Sequence, residues 1–210
     1  MSRIPRTRCP MISRAPALVS VCVVCVLLVG CGRSGQLTVQ SVHDVQVARG
    51  GAFDEGVYGF ADDNHLHVML TEGPIDEPAT ALHLSMFWRP RAGRTAMDER
   101  GTNVVVRYVV FEGDQVGVYG GGGFLWTGRG LGATLTADVR QALMNLQDRS
   151  DGFVDELGLA GASGVFTARR DDGEALRRVR ALQRRVSAAL GYPRFVQLRR
   201  KSQSSRGRTL

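Results

Sequence analysis

Val104-Val105-Val106-Arg107-Tyr108-Val109-Val110-Phe111 is the stretch on which the fold turns. β-Branched and aromatic side chains crowd the preceding turn of a helix but pack well on a pleated surface. Only Arg107 interrupts the apolar run, so both alternating faces are apolar. That pattern predicts a central strand buried on both sides. Glu112-Gly113-Asp114-Gln115 supplies turn chemistry, and Val116-Gly117-Val118-Tyr119 returns antiparallel. Gly120 to Gly123 follow, then Phe124-Leu125-Trp126.

Upstream, further segments carry the period-two signature of strands. Leu37 to Val42 and Val45 to Val47 alternate apolar with polar residues. Val57 to Phe60 and His65 to Leu70 read as a hairpin across Ala61-Asp62-Asp63-Asn64. Ala81 to Trp88 is a further strand, and Arg89 to Thr102 a charged loop. Downstream, two helices are expected. Thr136 is a good N-cap for Val139, Ala142, Leu143 and Leu146 at helical spacing. After a strand at Ser163 to Arg169, Asp171 or Asp172 caps a helix from about Gly173 to Leu190, closed by Gly191-Tyr192-Pro193. On that helix Leu176, Val179, Leu182, Val186 and Leu190 share one face, and Arg177, Arg178, Arg180, Arg184 and Arg185 lie mostly away from it. The order of elements argues for an α+β fold: an antiparallel sheet of about 6–8 strands with two helices packed on it. The expected organisation is a leader over residues 1–30, a tether over 31–36, one domain over 37–198 and a basic tail over 199–210.

Charge is unevenly placed. The nominal balance is +7, yet four arginines precede residue 31 and five basic residues fall in the last twelve positions. Of 27 basic residues, 18 remain for the body of the chain, against 20 acidic ones. A folded body so close to neutral argues against a nucleic-acid-binding face. The arginine-bearing helix face and the tail suit anionic lipid or an envelope polymer, although a solvated face is the ordinary role of such residues.

The first 31 residues have their own logic. Arg3, Arg6, Arg8 and Arg14 precede an uncharged run, Ala15 to Gly30. A basic region, a short apolar run and a small residue make a helical secretory signal. The run has 16 residues, short of the roughly 20 that a permanent span needs. It ends in Leu28-Val29-Gly30-Cys31, which resembles the lipobox of bacterial lipoproteins. The resemblance implies cleavage between Gly30 and Cys31, diacylglycerol on the Cys31 sulfur, usually a further acyl chain such as palmitate on the new amino terminus, and residence in the bacterial cell envelope, on the periplasmic or outer-membrane face. A plain secretory signal with an incidental cysteine, or an uncleaved anchor, is the alternative. Met11 would give a shorter leader of 20 residues and is a candidate start. Cys22 and Cys25 form a C-x-x-C pair, but inside the apolar run, so a redox or zinc role is not expected. After cleavage Cys31 is the only cysteine left, which leaves no disulfide. In the remainder, Phe87 to Thr95 and Gly191 to Arg194 resemble uncharacterised lipoproteins of planctomycete type, a group that implies no activity.

Few residues suggest chemistry. His65 and His67 share one strand face, with Asp62 and Asp63 nearby and His83 on another strand, a weak candidate metal set. A polar hairpin face explains the same residues. The Gly120–Gly123 run lacks the lysine and following helix of a phosphate loop, and reads instead as a glycine bulge or bend at a strand end. Gly161-Ala162-Ser163-Gly164 lacks the last glycine of a nucleophile elbow. Asp98-Glu99 and Asp155-Glu156 are adjacent acids without the flanking signature of acid–base work. Met86-Phe87-Trp88-Arg89-Pro90-Arg91 sets aromatics beside arginines, a possible stacking surface. No catalytic residue and no cofactor is expected. The sequence therefore favours a lipid-anchored envelope protein acting as a non-enzymatic binding or structural module, with a membrane partner through Cys31 and a protein or polymer partner. The competing expectation is a small envelope hydrolase or metal-dependent enzyme built on His65, His67 and His83.

Overall fold

The computed structural model describes residues 34–42, 48–74, 76–87, 102–128 and 131–194. The leader, Gly30, Cys31, the first tether residues, Val45 to Val47, Trp88, Asp98-Glu99 and the tail over 199–210 lie outside the described residues.

Nine strands and one helix make up the described part. They are β1 (Gly35–Ser41), β2 (Ala48–Phe53), β3 (Glu55–Phe60), β4 (Leu66–Glu72), β5 (Thr80–Met86), β6 (Val104–Glu112), β7 (Gln115–Thr127), β8 (Thr134–Arg149), β9 (Ala160–Arg170) and α1 (Asp172–Leu190). The sheet runs β2-β1-β9-β3-β4-β5-β6-β7-β8, and β8 also pairs with β9, which closes it into a barrel. β2 and β3 are separated only by Asp54 and behave as two halves of one bent strand, the first paired with β1 and the second with β4. Counted that way, the wall has eight staves. β9 meets β8 along one edge; along the other it meets β1 as far as Phe166, then β3 at Arg169 and Arg170.

The fold is thus α+β, as expected, but two finer expectations need correction. The sheet is mixed, because the β3–β9 pairing is parallel. Only one helix exists among the described residues, and the segment from Thr136 expected to be helical is strand β8. The reason is a bulge. Leu135, Ala137 and Val139 are buried with period two, and so are Ala142 and Met144. Between them the register of β8 against both neighbours slips by one residue, and Gln141 takes a left-handed φ of 49°. The extra residue turns a spacing of two into three, so Val139 and Ala142 imitate a helical face. Leu143, expected inside, is 53% exposed.

The same bend explains the glycine run, which lies inside β7 rather than at a strand end. Gly122 pairs with Leu143 and Phe124 with Arg140 across the bulge. At Gly121 the backbones come so close that an added Cβ would stand 1.8 Å from the Leu143 carbonyl oxygen. Glycine is the residue that permits such an approach.

β6 lies between β5 and β7, central as expected. Its inward residues Val104, Val106, Tyr108 and Val110 join the barrel interior with Leu66, Leu84, Tyr58, Phe53 and Phe166. Its outward residues Val109 and Phe111 belong to a second apolar cluster, in which Val57, Met69, Ala81, Val116 and Val118 receive Ala175, Val179, Leu182 and Val186 of α1. Both faces of β6 are apolar because the interior lies on one side and the helix on the other. Asp171 is the N-cap, accepting from the Glu174 amide at 2.8 Å, and Gly191 closes the helix at φ 77°. Arg178 departs from the expected outward face. It is 9% exposed, with Nε on Glu174 at 2.7 Å and Nη2 on Glu55 at 2.6 Å.

The glycine bend makes a direct prediction. Gly121→Ala should destabilise the protein by about 3 kcal/mol, since a backbone carbonyl cannot yield, while Gly122→Ala should cost under about 1 kcal/mol. The nearest atoms to a Cβ at Gly122 belong to the Thr102 side chain, at 3.1 Å. Urea unfolding midpoints of the two variants give the comparison, and equal losses would contradict the close approach.

Candidate functional site

The histidines lie on the outer wall of the barrel, on the same face as the patch under α1. Strand alternation decides this. Leu66, Val68 and Leu70 point inward, so His67, Met69 and Thr71 point outward. Leu82 and Leu84 point inward, so Ala81, His83 and Ser85 point outward. The register then sets His67 opposite Ser85, Met69 opposite His83, and His83 opposite Arg107 of β6.

Four rings form a row. The His65 ring lies 4.7 Å from that of Phe87 and 4.3 Å from that of His67, and the His67 ring 5.2 Å from that of His83. Phe87, at one end, is 63% exposed, whereas His67 and His83 are only 3% and 4% exposed. His67 Nδ1 and His83 Nε2 are hydrogen-bonded at 3.0 Å, and His65 Nε2 meets Ser85 Oγ at 3.0 Å. The Asp62 carboxylate is spent on the turn, accepting the Asn64 and His65 amides at 2.9 and 2.8 Å. Those amides also hold its pKa below the usual carboxylate value.

Burial governs the protonation of the inner pair. Desolvation, assisted by the neighbouring His65 and the Arg107 guanidinium, lowers His67 from 6.5 to about 4. His83 is held well below 6.5 by desolvation first, then by His67 and Arg107. Both rings are therefore neutral near pH 7, and a single proton is shared in the bond between them. Whichever nitrogen carries it, His67 Nε2 is buried without a partner among the described residues. Thr71 Oγ1 and Arg178 Nη1 are in the same position.

The structure thus brings His65, His67 and His83 together, but as a stacked, hydrogen-bonded row. Among the described residues no group of three or more His, Cys, Asp or Glu side chains is arranged to hold a metal ion. Asp155 has a structural part: it accepts the Tyr119 hydroxyl at 2.7 Å and the Gly158 amide at 2.9 Å. Gly161 to Gly164 lie in β9. Sequence reasoning missed Ser85 and Arg107. Ser85 was within reach, since it stands two residues beyond His83 and shares its face. Arg107 was not, because its place depends on the register of β5 with β6. Comparison of the chain with protein-family models, with curated proteins and with solved structures finds no match.

The buried pair predicts an acid-sensitive fold. The unfolded chain takes up a proton on His67 near pH 6.5, but the folded chain only near pH 4. Between these values the unfolded state binds more protons, so stability falls as pH is lowered and is intact above the upper value. At about 1.4 kcal/mol per unit, His67 alone contributes a loss of about 3 kcal/mol across that window. His67→Gln, which does not titrate, should flatten the curve of unfolding free energy against pH by about one proton. An unchanged slope would show that His67 is not buried neutral.

Proposed function

We propose that this chain is the precursor of a lipid-anchored lipoprotein of the bacterial cell envelope, whose barrel serves as a non-enzymatic binding or structural module. The observation that carries this reading is Leu28-Val29-Gly30-Cys31 at the end of an uncharged, arginine-preceded run. One acyl chain gives only marginal membrane attachment, and two or more give a stable one, so diacylglycerol on Cys31 suffices as an anchor. The position of the domain supports the reading. β1 begins at Gly35, just behind the proposed anchor. No helix among the described residues is long and apolar enough to cross a membrane. The inner wall is lined by closely packed side chains, so a partner of the barrel would be met on its outer surface. Its neutral body favours a protein or envelope polymer over nucleic acid.

Cys31→Ser tests this directly. The variant should incorporate no labelled fatty acid and should accumulate as the longer precursor. Normal maturation of the variant would refute the proposal.

One observation favours a second reading, a small hydrolase or metal-dependent enzyme. His65 Nε2 stands 3.0 Å from Ser85 Oγ, the contact through which an imidazole activates a hydroxyl. That reading expects metal bound to the purified mature chain, or hydrolysis of activated esters, lost in His65→Ala with His67→Ala. A metal-free, inert protein that is unaltered by those changes in either assay would remove it.

A further inference from the structure

Ser34 is tied firmly to the barrel wall. Its amide donates to Phe53 O at 2.8 Å, its hydroxyl to Asp54 O at 3.1 Å, and its carbonyl accepts from the Thr167 amide and hydroxyl at 2.5 and 3.1 Å. It lines a cleft of about 390 Å³ at the seam of β3 and β9, shared with Glu55 and with Arg178 of α1. Arg178 also lines the next hollow along the helix, with Arg177, Arg180 and Arg184. Asp76, Ala181 and Arg184 are common to that hollow and to a groove reaching Ala188. Three hollows with shared lining residues thus follow one another along α1, from Ser34 to the last turns of the helix.

The arginines along it are not equivalent. Arg178 is ion-paired with Glu55 and Glu174 through Nη2 and Nε, and Arg177 shares Glu174 at 2.6 Å. Arg185 donates to Pro78 O at 3.1 Å, and its guanidinium lies 3.9 Å from the centre of the Phe111 ring. Arg180 and Arg184 are exposed, four residues apart on one edge of the helix, and form no ion pair among the described residues. Asp76 and Glu174 are the acids that line the same hollow, and Glu174 is already paired with Arg177 and Arg178.

We propose that this edge of α1, with Arg180 and Arg184 at its centre, docks on the anionic phospholipid headgroups of the bilayer in which the chain is anchored. The proposal rests on Cys31 being acylated. Three residue steps separate Cys31 from Ser34, a reach of at most about 11 Å. The anchor therefore keeps Ser34 close to the bilayer surface, where charge acts over about 8 Å at physiological salt. Arg178, which lines both the Ser34 cleft and the hollow of Arg180 and Arg184, connects that end of the barrel to the helix edge. Guanidinium groups bind phosphate oxygens in a two-pronged geometry, and each basic group near an anionic leaflet adds to the attraction. The outer face of β8, around Leu143, carries no comparable edge: Asn145 and Gln147 follow it there.

The test uses the mature protein purified from membranes, in which an introduced cysteine is the only free thiol once Cys31 is acylated. A fluorophore is placed at Ala188→Cys or, as control, at Leu143→Cys. Each protein is reconstituted into vesicles containing headgroup-quencher lipid, made of phosphatidylcholine with or without phosphatidylglycerol. With phosphatidylglycerol present, quenching at residue 188 should exceed that at 143 by about threefold. The excess should vanish in phosphatidylcholine alone, in about 1 M salt, and in Arg180→Gln with Arg184→Gln, which alters only exposed side chains. Equal quenching at the two sites, or an excess that survives the double variant, overturns the docking surface while leaving an acylated protein in place. A Cys31 that carries no fatty acid overturns the anchor and the docking surface together.

Discussion

Everything in this barrel depends on how the two edges of β9 are satisfied. A strand buried in a wall cannot leave amides and carbonyls unpaired without a heavy desolvation cost. One edge is filled by β8. The other passes from β1 to β3, and the second of these pairings lasts for only two residues. The start of the helix extends that short seam. The Asp171 amide donates to Tyr58 O at 2.9 Å, and the Asp172 carboxylate accepts the Phe60 amide at 3.2 Å. Gly59 makes the contact possible, since a Cβ there would stand 2.4 Å from Asp172 Cα. The first turn of α1 is therefore a continuation of sheet bonding by other means, which explains why the helix must follow β9 without a linker.

Once the seam is closed, the molecule has two apolar clusters separated by the thickness of one sheet. The inner one needs only alternation. The outer one needs α1, whose apolar stripe covers Val57, Met69 and Val118 and leaves its arginines at the edge. Arg178 is the exception: it is drawn under the helix by two carboxylates on different elements and so links helix to wall. Farther along the same outer wall, the surface under the histidine row changes from aliphatic to imidazole. There the neutral His67–His83 bond replaces an apolar contact, at the cost of one nitrogen left without a partner among the described residues.

Local signals in the sequence predicted local structure well. The turn at Asp62 to Asn64, the hairpin from β6 to β7 and the Asp171 cap each depend on a few adjacent residues. The strand β8 did not, because its bulge is imposed by β7 and β9 and falsifies the spacing of Val139 and Ala142. Closure was hidden for the same reason: the parallel contact of Val57-Tyr58 with Arg169-Arg170 joins residues more than a hundred positions apart and leaves no mark on periodicity. In the site, the shared face of His65 and His67 followed from their spacing, whereas the meeting of His67 with His83 required the register of β4 on β5. That register also turned a candidate set of ligands into a bonded pair.

The placement of Ser34 has a mechanical side. It opens β1, a strand held on one flank by β2 and on the other by β9 over the same residues. Tension applied to the chain ahead of it, directed along the strand, would load both ladders at once and in shear. Hydrogen bonds strained together in this way share the force, whereas a strand peeled from its end would give them up one at a time. A domain pulled through a doubly flanked strand is thus better fitted to being held from the Ser34 side than through α1, a single helix that lies against the outside of the wall.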